Sequence, residues 1–187
     1  MKKFELTDEF VTNVFGKKLF RIKALVAFGN VEKGELGGFI EKEDNLSHGG
    51  NAWVFGNAWV FGNALVSGDA RVFDNALVSG DARVFGNAWV FGNARVFGNA
   101  RVSGNARVSG NADYAVVAGF GRYFRTTTFF RCKDKILRIQ CGCFYGDLAQ
   151  FREIVKKTHG DSKYAKEYLA IADLMELHFS DECGGEQ

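Results

Sequence analysis

From Gly50 to Ala115 the chain is written in sixes. Eleven hexads run without a gap: GNAWVF twice, then GNALVS, GDARVF, DNALVS, GDARVF, GNAWVF, GNARVF, GNARVS, GNARVS and a degenerate GNADYA. Ala holds the third place in all eleven, from Ala52 to Ala112. Val holds the fifth in ten, from Val54 to Val108, and Tyr114 replaces it in the last. The stretch from Ala through the variable residue and Val to Phe or Ser reads as a short strand of period two. With Ala and Val inward, the variable residue and the Phe or Ser face outward. Gly-Asn or Gly-Asp supplies the bend, since Gly tolerates positive φ and Asn and Asp form local turns. Small Ala beside medium Val suits a narrow interior. A strand this short satisfies its backbone and buries its Val only by stacking on copies of itself.

This repeat resembles that of the hexapeptide-repeat proteins, which form a left-handed parallel β-helix with three hexads per triangular coil. The resemblance implies a mainly β fold of about 3.5–4 coils, roughly 15–20 Å tall at about 4.8 Å per strand layer. It implies that residues eighteen apart stack, and it supplies the handedness. A narrower likeness lies in the flanks. Leu36-Gly37-Gly38-Phe39-Ile40-Glu41 with Asn45-Leu46-Ser47 is similar to the lead-in of hexapeptide-repeat proteins from phages and prophage-bearing bacteria. Arg125-Thr126-Thr127-Thr128-Phe129-Phe130, Cys141-Gly142-Cys143-Phe144 and Lys157-Thr158-His159-Gly160-Asp161 are similar to their C-terminal region. That family has no assigned chemistry.

A solenoid needs covers over its open ends. Residues 1–49 read as the N-terminal cap: a hairpin of Phe4–Thr7 and Val11–Phe15, a Gly16-Lys17 turn, then Leu19–Leu25, with residues 31–49 leading into the first coil. Residues 50–115 are the solenoid and 116–187 a small ββαα unit. Its expected strands are Tyr123–Arg131 and Lys135–Cys141. Leu148, Phe151, Ile154 and Val155 repeat at helical spacing over 147–158, with Asp147 as cap and Gly160 as stop. A second helix is expected over about 162–178, and Ser180–Gln187 reads as irregular.

The eighteen-residue register sorts outward residues onto three faces. The first alternates Trp53, Arg71, Trp89 and Arg107 beside Phe55, Phe73 and Phe91. Guanidinium groups between indoles gain cation–π energy, and a bare Phe column is unusual on a soluble monomer. Trp53, Phe55, Arg71, Phe73, Trp89 and Phe91 are therefore candidate oligomer-interface residues. The family resemblance favours a homotrimer.

The remaining features bound the chemistry. The chain's 187 residues suit one domain or two small ones, and 47% hydrophobic with 25% charged residues is enough to build a core. Basic and acidic side chains balance in every third of the chain, so no strong electrostatic footprint points to nucleic acid. No apolar run is long enough for a transmembrane helix and the start lacks a secretion signal, so the cytosol of a bacterial cell is expected, with cysteines as thiols. Acyltransferases of the hexapeptide-repeat fold place a His general base on or beside a coil. The histidines here are His48, His159 and His178, all outside the hexads. Cys141-Gly142-Cys143, with Cys132 and His159, is a weak zinc pattern because one residue separates the thiols where two to four are usual. Arg122, Arg125, Thr126, Thr127, Thr128 and Arg131 cluster within ten residues and suit a small anion such as a phosphate. The expectation is a non-enzymatic, cofactor-free scaffold and binding protein: a phage-type accessory protein that binds and inhibits a host defence protein. The alternatives are sequestration of a nucleotide-like molecule at a subunit crevice, and acyl transfer.

Overall fold

The computed structural model describes residues 2–180. Strands β1 (Phe4–Thr12) and β2 (Lys18–Ala24) form an antiparallel hairpin with a register shift between Leu6 and Phe10. Strand β3 (Leu36–Ile40) pairs antiparallel with β2 and parallel with the solenoid. Ten two-residue strands follow, one per intact hexad: β4 (Trp53–Val54), β5 (Trp59–Val60), β6 (Leu65–Val66), β7 (Arg71–Val72), β8 (Leu77–Val78), β9 (Arg83–Val84), β10 (Trp89–Val90), β11 (Arg95–Val96), β12 (Arg101–Val102) and β13 (Arg107–Val108). They stack in parallel at intervals of eighteen, as β4-β7-β10-β13, β5-β8-β11 and β6-β9-β12. The expected register holds: Trp53 pairs with Arg71, Arg71 with Trp89 and Trp89 with Arg107. The structure is a β-solenoid of about four coils.

The bore is filled as the hexad dictates. Every Val from Val54 to Val108 is fully buried, with the Ala residues of those hexads beside them. Removing a Val side chain from water contributes about 1.5 kcal/mol or more, and stacking multiplies this along the tube. The corner glycines from Gly50 to Gly104 lie at φ +57° to +71°, with Asp74 at +60° in the one corner that lacks glycine. Close approach adds a second demand. A Cβ on Gly80 would sit 2.9 Å from the Gly98 nitrogen of the next coil.

The two ends of the stack differ chemically. Outside the strand-to-strand ladders, N–H groups of one coil donate to carbonyls of the following coil, as Trp53 N–H does to Ala70 O (3.1 Å). The first coil is therefore left with mostly carbonyls to satisfy and the last with mostly N–H groups. Donors meet the first set. Lys3 Nζ donates to Gly50 O and Ala52 O (3.3 and 2.8 Å), Asn45 Nδ2 to Gly62 O and Ala64 O (3.1 and 2.8 Å), and Phe39 N–H to Ala58 O (2.9 Å). Acceptors meet the second. Asn111 Oδ1 takes Arg95 N–H (3.0 Å), Thr128 Oγ1 takes Arg101 N–H (2.9 Å) and Asp113 Oδ2 takes Ser109 N–H (2.8 Å). Burial lowers the Lys3 ammonium to about 8, against an opposing pull from Asp69.

The C-terminal unit is larger than two strands and two helices. Strands β14 (Tyr114–Phe120), β15 (Arg125–Arg131), β16 (Leu137–Cys141) and β17 (Phe144–Asp147) form one antiparallel sheet in that order. Helices α1 (Leu148–His159) and α2 (Lys163–Phe179) pack on it. Tyr114 of the degenerate hexad opens β14 rather than an eleventh coil strand. Strand β15 explains how the unit docks. Its alternation sends Thr128 and Phe130 to the solenoid end, where Phe130 joins the solenoid core, while Phe129 enters the core under the helices. Asp147 caps α1 through Gln150 N–H (2.9 Å), and Gly160 ends it at φ +55°. Apart from Ser180, the tail read as irregular lies outside the described residues.

Candidate functional site

The first face keeps its backbone order but rearranges its side chains. Trp53, expected on the open surface, is fully buried inside its own chain against Phe4 and Phe28 (ring centroids 6.2 and 5.3 Å). The N-terminal cap, not a neighbouring subunit, covers it. The stacking order inverts as a result. Trp89 lies between two guanidiniums, Arg71 at 5.5 Å and Arg107 at 4.1 Å, where a guanidinium between two indoles was expected. Phe73 and Phe91 stack face to face at 5.0 Å and 7°, and the Phe73 edge meets Trp89 at 5.8 Å. Phe55 packs partly against the solenoid core. The column from Phe55 to Phe91 is half-buried by its own neighbours.

The six anion candidates divide. Thr128 is buried and spends its hydroxyl oxygen on Arg101 N–H, and Thr127 is buried with its hydroxyl donating to Cys141 Sγ (3.2 Å). Arg131 reaches the other way, donating to Phe179 O (3.0 Å) with Asp113 at 3.9 Å. These three join elements together. Arg125 and Thr126 instead line a groove of about 500 Å³ between the third solenoid face, the β6-β9-β12 stack that carries Arg83 and Arg101, and the C-terminal sheet. Its other walls are Asn63, Asp81, Arg83, Asn99, Arg101 and Gly142. The eighteen-residue register already stacks Arg83 on Arg101. What the sequence does not show is that the start of β15 lies beside that column.

Arg125 also lines a smaller, mostly apolar pocket of about 200 Å³ with Arg122, Tyr123, Cys141, Cys143, Phe144, Phe151 and His159. Tyr168 closes it. Burial, then the adjacent Cys141, raise the Tyr168 phenol to about 12. His159 stacks on Tyr168 at 5.8 Å. The thiols do not converge: Cys132 is at the solenoid end, where burial pushes it up beside Tyr145. Among the described residues no group of three or more His, Cys, Asp or Glu is placed to hold a metal ion. His48 belongs to the N-terminal cap, stacked on Phe4 at 4.3 Å with Nδ1 accepting Lys3 N–H (3.1 Å). His178 packs against Phe179.

A third surface was not anticipated. The β14–β15 turn presents Phe120, Tyr123 and Phe124 at 43%, 62% and 72% exposure, beside the exposed Arg122 and Arg125. Phe124 sits at φ +51°, in the left-handed region that a bulky residue seldom enters. The turn is held from behind: Gly121 N–H donates to Glu167 (2.8 Å), and Tyr168 covers Gly121 so closely that a Cβ there would clash.

Among the described residues no helix is long and apolar enough to cross a membrane. No curated protein matches the sequence at a significant level. A family described as the YdcK Beta solenoid repeat matches residues 100–112, within the last coils. That match and the stacked strands agree that the chain is built on a repeat β-solenoid.

Proposed function

We propose that the protein is a non-enzymatic binding protein. The solenoid is a rigid post, and the β14–β15 turn is the contact surface for a partner protein. The observation that carries this reading is the turn itself. Three aromatic rings stand out of the fold beside two arginines, on a backbone anchored by Glu167 and Tyr168. Tyr and Arg dominate interface hot spots, and a pre-anchored loop loses little entropy on binding. The phage-like segments over 36–47 and 125–161 support a host protein in the bacterial cytosol as the partner. A defence protein inhibited by the contact fits that setting. The same reading gives the Phe55, Phe73 and Phe91 column to a sister subunit in a homotrimer.

The test is capture from a bacterial host lysate on the tagged full chain. Wild type should retain a partner at near-stoichiometric amount, and the pair Tyr123→Ala with Phe124→Ala should lose it while keeping the same melting temperature. Retention of that partner by the pair removes the turn from the interface. A chain that holds no partner at all removes the binding-protein reading.

A further inference from the structure

The groove between the third solenoid face and the start of β15 asks for a ligand of its own. Arg83 and Arg101 stack one coil apart, and Arg125 enters from the C-terminal sheet, its Nη1 close over Gly142. Among the described residues none of these three guanidiniums is in an ion pair. Elsewhere in the chain Arg21, Arg131, Arg138 and Arg152 each have a carboxylate partner. The single acid in the groove, Asp81, accepts from Asn63 Nδ2 (3.0 Å). Arg101 Nε is buried without a hydrogen-bond partner, although its guanidinium stacks over Phe85 at 5.7 Å. Three like charges against one carboxylate therefore line a single concavity, and an anion relieves the repulsion between guanidiniums that no carboxylate pairs.

We infer that this groove is a binding site for a small molecule bearing adjacent phosphates, held by Arg83, Arg101 and Arg125 with the Thr126 hydroxyl and Asn99 amide at its edge. Guanidinium forks match phosphate oxygens two at a time, and a cavity of about 500 Å³ takes a diphosphate or nucleotide. The site is a compact triad in a chain of balanced charge. It lacks the extended basic track that a nucleic-acid backbone requires. Free diphosphate and a nucleoside diphosphate share the chemistry that the groove reads. The smaller pocket that Arg125 also lines offers an apolar wall for the organic part of the second.

Calorimetric titration of the full chain with pyrophosphate, with ADP and with a short single-stranded oligonucleotide tests the site. Pyrophosphate or ADP should bind saturably at one site per chain. Arg83→Gln and Arg125→Gln, both exposed and free of ion pairs, should each weaken binding about tenfold or more, the loss of one charge-assisted contact. Arg95→Gln, exposed on the β5-β8-β11 face, should change it less than twofold. ADP binding more tightly than pyrophosphate identifies a nucleotide; equal affinity identifies the diphosphate alone. The inference is overturned if neither phosphate compound binds, if the groove variants bind like wild type, or if the oligonucleotide binds more tightly than both.

Discussion

Asp74 shows how strictly one backbone position is specified. Every other corner from Gly50 to Gly104 is glycine at positive φ, and Asp74 holds +60° with a side chain. Left-handed backbone costs a non-glycine residue roughly 1–2 kcal/mol, and Asp tolerates it best when it bonds locally. Here the carboxylate accepts Gly92 N–H of the next coil at 3.1 Å. Asp74→Ala keeps the strain and loses the bond, so urea unfolding should show a loss of about 1 kcal/mol. Asp74→Gly removes both, and its stability should stay within about 0.5 kcal/mol of wild type. The sequence shows Asp74 as the odd letter in the repeat, and the repeat itself reveals the corner it must serve. Trp53 is the contrary case. Its column was legible from the spacing of eighteen, but its burial comes from Phe4 and Phe28, far away in the chain, and no periodicity encodes that.

The same division holds for elements. Both helices were readable because their ends carry local chemistry: Asp147 and Ser162 accept first-turn N–H groups, and Gly160 takes the positive φ of the stop. Asp147→Ala should lower stability by about 1 kcal/mol in thermal unfolding. Strands β14 and β17 were missed for physical reasons. Strand β14 begins inside the last hexad, so the repeat masks it. Strand β17 is four residues long and contains the buried Gly146. The caps were expected as covers, yet Lys3 as a donor was not visible, because a lysine near an N-terminus ordinarily reads as solvated. Its buried ammonium makes a pH prediction. Folding lowers its pKa from the ordinary 10.5 to about 8, so between these values the unfolded chain holds more protons. Stability contributed at this site therefore rises as pH goes from about 8 to 10.5. Buried Tyr168, raised to about 12, acts in the opposite direction above about pH 10. The difference between wild type and Lys3→Met in chemical unfolding isolates the lysine: it should move in favour of wild type across pH 8–10. A difference independent of pH would show Lys3 to be solvated.

At the scale of the whole molecule, the repeat made the tube and its three-sheet register legible, while the docking of the C-terminal sheet was not. The arginine groove depends on that docking, which is why the sequence alone points to only Arg125 and Thr126 among its walls. The first face carries a prediction of the same scale. Phe73 and Phe91 form the stacked part of the apolar column, so the proposed homotrimer requires wild type to sediment as a trimer and Phe73→Glu with Phe91→Glu as a monomer. An unchanged mass would assign that column to self-packing alone. The unlike ends of the stack reach further still. With the covers removed, one terminus would present mostly acceptors and the other mostly donors, in complementary register and the same triangular outline, so one molecule could continue the next without limit. Residues 1–49 and the C-terminal sheet thus act as chain terminators against fibre growth, and a version trimmed to residues 50–109 should elongate into filaments visible by electron microscopy.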